Sequence, residues 1–526
     1  MTTTSAGRGG APAEDRAARL LALAGAALAI AYVATGWRAL RRLGLPLDDS
    51  WIHLQFARSL AAGHGLAFEP GELVAGSTAP LWTALVSLLE PLPGSPVARV
   101  QALGIVVFAA GIPVLYGLGR DLGLGRGLAA FGAALYALTG PMVWSAVSGL
   151  EVPLFVLLSL AATRCHVQDR AAPRGVALSL PLFALSALAR PEGLLLLALA
   201  VLDRAVAVRG RWRDGLAGAW AGLVLAAIVL APVALFNLSV SGSLLPTTFA
   251  AKSGGVRGLL PSLRYLHTVL GILFRAQPYM TLLAGAGVVA LARRAGGDRD
   301  SGLLPALWVC GLPLAYSCFS SPGGALVGNF GRYHYPLFPF VILLGCLGLS
   351  LAGAARATPR GRAGRLALAA AGLVIAWPTV GHLVTTAGQY VRSVRDIEDG
   401  DVAAARWLAP RLPAGASLAV NDIGAIKYLL PEHRIFDLAG IVTPEVHRYT
   451  RAAVAAGGRW EEGIRAYLDR VRPDYLVVFP SWFPGLLASD GSFRPIREFS
   501  VPGNIALGGD RLAIYSTPWT REEVRP

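Results

Sequence analysis

The sequence predicts a mainly α-helical polytopic membrane protein with a small α/β domain at its C-terminal end, and three observations carry that reading. Of 526 residues, 54% are hydrophobic and 15% charged, against about 25% charged in soluble domains; mean hydropathy is +0.54. Apolar stretches recur along most of the chain, separated by short loops in which arginines gather. From about residue 388 the pattern changes to short strand-like runs alternating with helical spacing, which indicates an α/β unit. A net charge of +15 would suggest nucleic acid in a soluble protein. Arginine loops between apolar segments instead orient membrane helices, so the expected partner is the lipid bilayer, with no nucleic acid.

Residues 1–16 read as a polar cytoplasmic tail. Apolar stretches then fit helices near 17–37, 98–118, 127–146, 150–163, 175–189, 191–203, 214–238, 279–292, 302–320, 335–354 and 366–387. No small-residue cleavage site follows the first run, so it reads as a retained helix. Several stretches fall short of the roughly 20 residues needed to cross alone, and 175–189 with 191–203 form a pair hinged at Arg190-Pro191-Glu192-Gly193. One set of loops carries the arginines: Arg8, Arg16 and Arg19; Arg120 and Arg126; Arg164, Arg170 and Arg174; Arg204 to Arg213; Arg293 to Arg299; Arg356 to Arg365. If all are cytoplasmic, an even number of helices must separate each pair of loops. That holds when 79–93 stays on the outer face as a juxtamembrane or re-entrant helix. About 11 transmembrane helices over 17–387 result, with the domain 388–526 outside a bacterial inner membrane. Loop 38–97, the Ser148–Glu151 turn, the Arg190 hinge, loop 239–278 and the Asn329–His334 turn then share the outer face. Arg38, Arg41, Arg42 and Arg58 are left outside, against the charge rule.

Cys165, Cys310, Cys318 and Cys346 all fall in or beside apolar stretches, which gives neither a disulfide framework nor a thiolate metal cluster. In the C-terminal domain, Asp401–Leu412 and Glu461–Val471 have helical spacing. Ser417–Asn421, Arg434–Leu438, Tyr475–Phe479 and Arg511–Ser516 read as strands.

The chemistry-bearing residues cluster on the outer face. Asp48 and Asp49 adjoin each other where the first helix ends, and acids at a membrane boundary are costly unless they face water or a polar site. A helix-cap role is the bland alternative. Glu151 sits at a helix start, where a carboxylate is also favoured by the helix dipole. Lys252 and Arg332 are candidate anion partners, a point charge and a bidentate fork; Lys252 is one of two lysines among 47 basic residues. Arg190 and Glu192 are spaced to pair with each other. His53, His64 and His334 lack ligand spacing. Asp422 and Asp437 read as turn residues beside Gly424 and Gly440.

Asp48-Asp49-Ser50-Trp51-Ile52-His53, Gly63-His64-Gly65 through Pro70-Gly71-Glu72, Ser148-Gly149-Leu150-Glu151, Ala189-Arg190-Pro191-Glu192-Gly193, Leu245-Pro246-Thr247-Thr248 through Lys252 and Arg332-Tyr333-His334-Tyr335-Pro336 together resemble the GT-C superfamily. Its members are membrane glycosyltransferases that use polyprenyl-phosphate sugars, and the likeness is greatest to actinobacterial cell-wall arabinofuranosyltransferases. Asn421-Asp422-Ile423-Gly424 resembles their tail domain. Thr78-Ala79 and Thr247 stand where the family often has Asn, so the donor sugar does not carry over. The resemblance implies a GT-C type bundle, a polyprenyl-phosphate sugar donor and a glycan or lipid acceptor. It implies Asp48 as general base and Asp49 as its orienting partner. Glu151, Lys252, Arg332, Arg190 and His53 would bind substrate. Asp49 and Glu151 are the candidates for a divalent cation, which the sequence neither requires nor excludes. The competing readings are a lipid-sugar flippase, which would show internal repeats and midplane charges, and a non-catalytic glycan-binding membrane protein.

Overall fold

The computed structural model describes residues 11–171, 176–207, 219–244, 246–248, 262–294, 302–319, 329–354, 362–488 and 491–524. Each apolar stretch of the sequence carries a helix. Helix α1 (Ala11–Leu40) is followed by α2 (Asp48–Ala61), a two-strand hairpin β1 (Ala67–Glu69) and β2 (Glu72–Leu73), and α3 (Pro80–Ser87). At eight residues, α3 is about 12 Å long and cannot cross a bilayer; it packs on α2. Helix α4 (Pro96–Asp121) starts on Pro96, whose missing N–H costs nothing in a first turn. Its 26 residues reach about 39 Å.

Helices α5 (Arg126–Leu138) and α6 (Gly140–Val147) meet at a 56° bend, and α7 (Val152–Ala171) follows. Helices α8 (Ser179–Ala189) and α9 (Glu192–Ala207) form the hinged pair. A Cβ on Gly193 would fall 2.4 Å from the Ala187 nitrogen, so the hinge closes only on glycine. Helix α10 (Trp220–Ser241) stops at Gly242 in the left-handed region, φ 69°, the usual helix terminator. The expected loop 239–278 contains a helix instead, α11 (Leu263–Ala276), which turns by 115° into α12 (Pro278–Arg294). It buries Tyr265, Val269 and Leu273 and exposes Leu263, Leu270 and Phe274, a two-sided apolar pattern whose period the loop reading overlooked. Helices α13 (Leu304–Phe319), α14 (Phe338–Ala354) and α15 (Arg362–Ile397) complete the bundle. Among the described residues, five helices are long and apolar enough to cross a membrane, or up to seven when each bent pair counts as one span.

Helix α15 runs through residue 388 without a break into a π-helical turn, Glu398–Val402, and α16 (Ala403–Leu408). Strands β3 (Ser417–Val420), β4 (Arg434–Asp437), β5 (Tyr475–Val478), β6 (Arg494–Ser500) and β7 (Arg511–Ser516) form one sheet in the order β4-β3-β5-β7-β6. Strand β3 pairs parallel with both β4 and β5, while β7 pairs antiparallel with β5 and β6. The parallel pairs require crossovers. Helix α17 (Gly424–Leu429) supplies one, α18 (Val446–Ala455) and α19 (Trp460–Val471) the other.

Alternate residues of the strands face opposite sides. Ala419, Leu476 and Val478 pack on Ile464 and Leu468 of α19. Leu418, Val420, Tyr475 and Val477 face the other way, and their cluster includes Ile52 and Phe56 of α2. Helix α2 is therefore part of the C-terminal domain's core as well as of the bundle.

Candidate active site

Helix α2 places Asp48 and Asp49 in its first turn, and the two side chains part company. Asp48 accepts hydrogen bonds from the backbone N–H groups of Gly424 and Ala425, each at 2.7 Å. It thereby caps α17 of the C-terminal domain. A Cβ on Gly424 would lie 2.3 Å from the Asp48 carbonyl oxygen, so this close approach depends on glycine. Burial pushes the Asp48 carboxyl up to about 7, against its two backbone hydrogen bonds and with Asp49 and Asp437 adding to the rise.

Asp49 instead faces a cleft and pairs with Arg332. The cleft encloses about 900 Å³ including its open mouth, and its walls include His53, Glu151, Arg190, Glu192, Tyr316 and Tyr333. One turn beyond Asp49, His53 lies with Nε2 at 3.1 Å from Glu151 Oε2. The other Glu151 oxygen accepts from Arg190 Nη1 at 2.6 Å. Arg190 also donates from Nε to Glu192 at 3.1 Å, and the Tyr316 hydroxyl donates to the same oxygen. The pairing of Arg190 with Glu192 read from spacing is present, and it extends to Glu151. Both guanidiniums lie over the ring of Tyr333, Arg190 at 5.0 Å and Arg332 at 5.4 Å from its centroid, within cation–π range.

Local backbone fixes these positions. Gly149 has φ 81°, and a Cβ there would press on Leu45 and Ser50 at 3.1 and 3.3 Å. Its carbonyl accepts from Trp82 Nε1 at 3.0 Å, and the Ser148 carbonyl accepts from Ser50 at 2.7 Å. The turn that presents Glu151 is thus clamped to α2 and α3. On the opposite wall, Phe330 and Gly331 both have positive φ, 65° and 71°. That conformation is strained for Phe, and it aims Arg332 inward. The ring of Phe330 is held against Trp144 at 5.4 Å.

Lys252 lies outside the described residues. Thr248 lines the cleft, bonded from its hydroxyl to the Gly76 carbonyl at 2.5 Å. His334 bonds to the Tyr265 hydroxyl at 3.0 Å, a structural role behind the cleft wall. Asp437 accepts from the amides of Ala439 and Val442 at 2.8 and 2.7 Å, the turn role its sequence context indicates. Tyr316, Tyr333 and Ile441 were missed. A lone tyrosine in the apolar run 302–320 was the available signal for the first; Ile441, reached through the folded C-terminal domain, had none.

Among the described residues no three His, Cys, Asp or Glu side chains converge as a cation site. The Asp49 carboxylate is engaged by Arg332, and that of Glu151 by Arg190 and His53. As arranged, this donor set does not fit a metal.

Residues 388–515 match a family model described as a domain of unknown function, DUF8728. No curated protein matches the chain significantly. Among solved structures, ArnT from Cupriavidus metallidurans bound to undecaprenyl phosphate is 15% identical, with 93% of this chain and 97% of that one covered at a TM-score of 0.56. The archaeal oligosaccharyltransferase AglB from Archaeoglobus fulgidus, in complex with an inhibitory peptide and a dolichol-phosphate, is 12% identical, with 97% and 75% covered at 0.59. A further structure of the Archaeoglobus fulgidus oligosaccharyltransferase, with Zn and sulfate, is 12% identical, with 93% and 73% covered at 0.58. These neighbours are GT-C glycosyltransferases. The chain shares their fold, a mostly helical bundle with several apolar helices and a sheet-containing C-terminal domain.

Proposed function

We propose that this chain is an integral-membrane glycosyltransferase that moves a sugar from a polyprenyl-phosphate donor to a glycan or lipid acceptor by direct displacement, with its cleft on the outer face of a bacterial inner membrane. The observation that carries the reading is the Asp49–Arg332 pair inside one cleft. A carboxylate and a buried guanidinium are the base and the phosphate partner that such a transfer needs. Arg332 Nη1 is buried without a hydrogen-bond partner among the described residues, and this nitrogen suits the leaving phosphate.

In this reading the acceptor hydroxyl attacks the anomeric carbon as the bond from that carbon to the phosphate oxygen breaks. The hydroxyl proton passes to Asp49, and the leaving polyprenyl phosphate keeps the electron pair and its charge beside Arg332. Donor phosphate competes with Asp49 for the guanidinium, so binding the donor releases the base. Glu151, held between Arg190 and His53, presents a fixed acceptor for sugar hydroxyls. Lys252 remains a candidate second cation for the phosphate. Asp49 therefore replaces Asp48 as the proposed base, because both Asp48 oxygens are occupied outside the cleft. A flippase would place such charges along a path through the bundle, whereas these gather at one end.

Purified protein incubated with a panel of labelled polyprenyl-phosphate pentoses and hexoses tests the reading. Sugar transfer is expected with at least one donor, and Asp49→Asn should slow it by about 10²–10⁴-fold, the usual contribution of a general base. Transfer at the wild-type rate in Asp49→Asn would remove the proposed mechanism.

A further inference from the structure

A second, larger recess lies beside the cleft, enclosing about 1710 Å³ including its opening to solvent. Its walls come from the β1–β2 hairpin, the end of α10, strand β4 and helices α18 and α19. Only one thickness of chain separates the two cavities. Val74 and Ala75 face the recess while Gly76, Ser77 and Thr78 face the cleft, and Val442 and Thr443 face the recess while Ile441 faces the cleft. A Cβ on Gly76 would sit 3.2 Å from the Ile441 carbonyl oxygen, so the two wall segments touch at that glycine. Thr247 fastens the same wall from the recess side, donating from N and Oγ1 to the Ala75 carbonyl at 2.9 and 3.1 Å.

The charges of the recess do not balance. Its three acids are each paired: Glu69 with Lys427 at 2.7 Å, Glu72 with Arg434 at 2.6 Å and Glu445 with Arg470 at 3.0 Å. Arg448 and Arg451 remain, three apart on α18 and so on one helix face. Among the described residues neither is paired with a carboxylate. Arg451 donates from Nε to the His447 carbonyl at 3.1 Å, which orients it and leaves its charge uncompensated. Phe436 of β4 adds an apolar floor, with Arg434 over its ring at 5.3 Å. Without its opening to solvent the recess holds about 760 Å³, toward the upper end of the roughly 300–1,000 Å³ of small-molecule sites, and it leads toward a cleft whose chemistry needs a hydroxyl.

We propose that this recess, with Arg448 and Arg451 as its anion contacts, binds the acceptor as a glycan chain carrying carboxylate or phosphate groups. The inference rests on the glycosyltransferase reading and deepens it by naming the acceptor's class. Anionic groups along the chain meet the two arginines, and the chain's free hydroxyl end passes over the Gly76–Ile441 wall to Asp49.

Binding measured without any donor separates this proposal from the transfer reaction. The full-length protein in nanodiscs is titrated with three probes: a galacturonate pentamer, a phosphorylated mannose pentamer and uncharged maltopentaose. At least one anionic probe should bind more tightly than maltopentaose, with affinity falling as salt rises. The double variant R448Q/R451Q should weaken that binding by about tenfold, the scale of two lost ion pairs at solvent-exposed side chains. A tighter fit to one anionic probe distinguishes carboxylate from phosphate as the recognised group. Equal binding of maltopentaose, no binding of either anionic probe, or unchanged binding in the double variant would each overturn the proposal. Loss of anionic binding in R448Q/R451Q is read without any donor, so it supports the recess independently of the transfer reaction. Absence of transfer with every donor, with anionic binding intact, indicts the transferase reading alone.

Discussion

Asp48 commits both carboxylate oxygens to the amides of Gly424 and Ala425, whereas its neighbour Asp49 faces the cleft and Arg332. One residue of offset changes what the same substitution does. In Asp48→Asn one oxygen becomes an NH₂ group facing a backbone donor, so one hydrogen bond is lost and a buried N–H is left unpaired, at a cost of about 1–3 kcal/mol. A lower melting temperature is expected, with turnover per folded molecule close to wild type. Asp49→Asn should do the reverse, keeping the melting temperature and losing turnover. Paired thermal unfolding and single-turnover assays check both, and a stable but inactive Asp48→Asn protein would return the base role to Asp48. The sequence placed the acids, Glu151, Arg190 and Arg332 on one face by helix parity, and the structure brings Asp49, Glu151, Arg190 and Arg332 to one cleft. It could not tell Asp48 from Asp49. Their difference lies in the close approach of Gly424, some 375 residues away, and no local pattern encodes that contact.

At the scale of elements, the seam between bundle and C-terminal domain explains two of the four arginines that broke the charge rule, Arg42 and Arg58. Arg42 pairs with Asp399 at 3.0 Å and Glu398 at 3.6 Å, both in the π-helical turn. Arg58 donates to the Tyr428 carbonyl at 2.9 Å and lies over the Tyr428 ring at 4.2 Å. These cations hold the C-terminal domain against α2, so they are not the free loop charges that the orientation rule counts. The strands at 417, 434, 475 and 511 were legible because buried strands show as short apolar runs between turn residues. Strand β6 was not, since it is an exposed edge strand reading Arg-Pro-Ile-Arg-Glu-Phe-Ser.

The same seam gathers buried carboxyls. Burial raises Asp48 to about 7 and Asp437 to about 6, and it holds Asp401 and Asp422 well above the carboxylate range. For an acid whose folded value is raised, the stabilisation is complete below its unfolded value and is lost as pH rises through the folded one. For Asp48 and Asp437 that window runs from about pH 4 to about 7. The seam should therefore melt at a higher temperature at pH 5 than at pH 8, and Asp48→Asn should flatten the dependence. A melting temperature that climbs from pH 5 to pH 8 would contradict this account of the seam.

At the scale of the whole molecule, the fold sets the cleft, the recess and the C-terminal domain at one end of the bundle, and the parity of arginine loops read from the sequence predicts that this end lies outside. Each half of this argument can fail separately. The fold fixes which residues share an end, because α2 contributes Ile52 and Phe56 to the C-terminal core. The loops carry the expectation of which side that end faces, because arginines retained in the cytoplasm would orient the helices between them. Three exposed positions decide the matter. Ala62, just past α2, and Ala455, at the end of α18, belong to the cleft end, while Gly127 opens α5 beside Arg120 and Arg126. A Cβ on Gly127 meets nothing within 4 Å, so cysteine is tolerated there. In intact cells a membrane-impermeant maleimide should label Ala62→Cys and Ala455→Cys, and label Gly127→Cys only after permeabilisation. Labelling of Gly127→Cys alone would invert the orientation and place the cleft in the cytoplasm while leaving the fold intact. Opposite accessibility of Ala62→Cys and Ala455→Cys would be a deeper contradiction, since a bilayer cannot separate two elements packed against the same sheet.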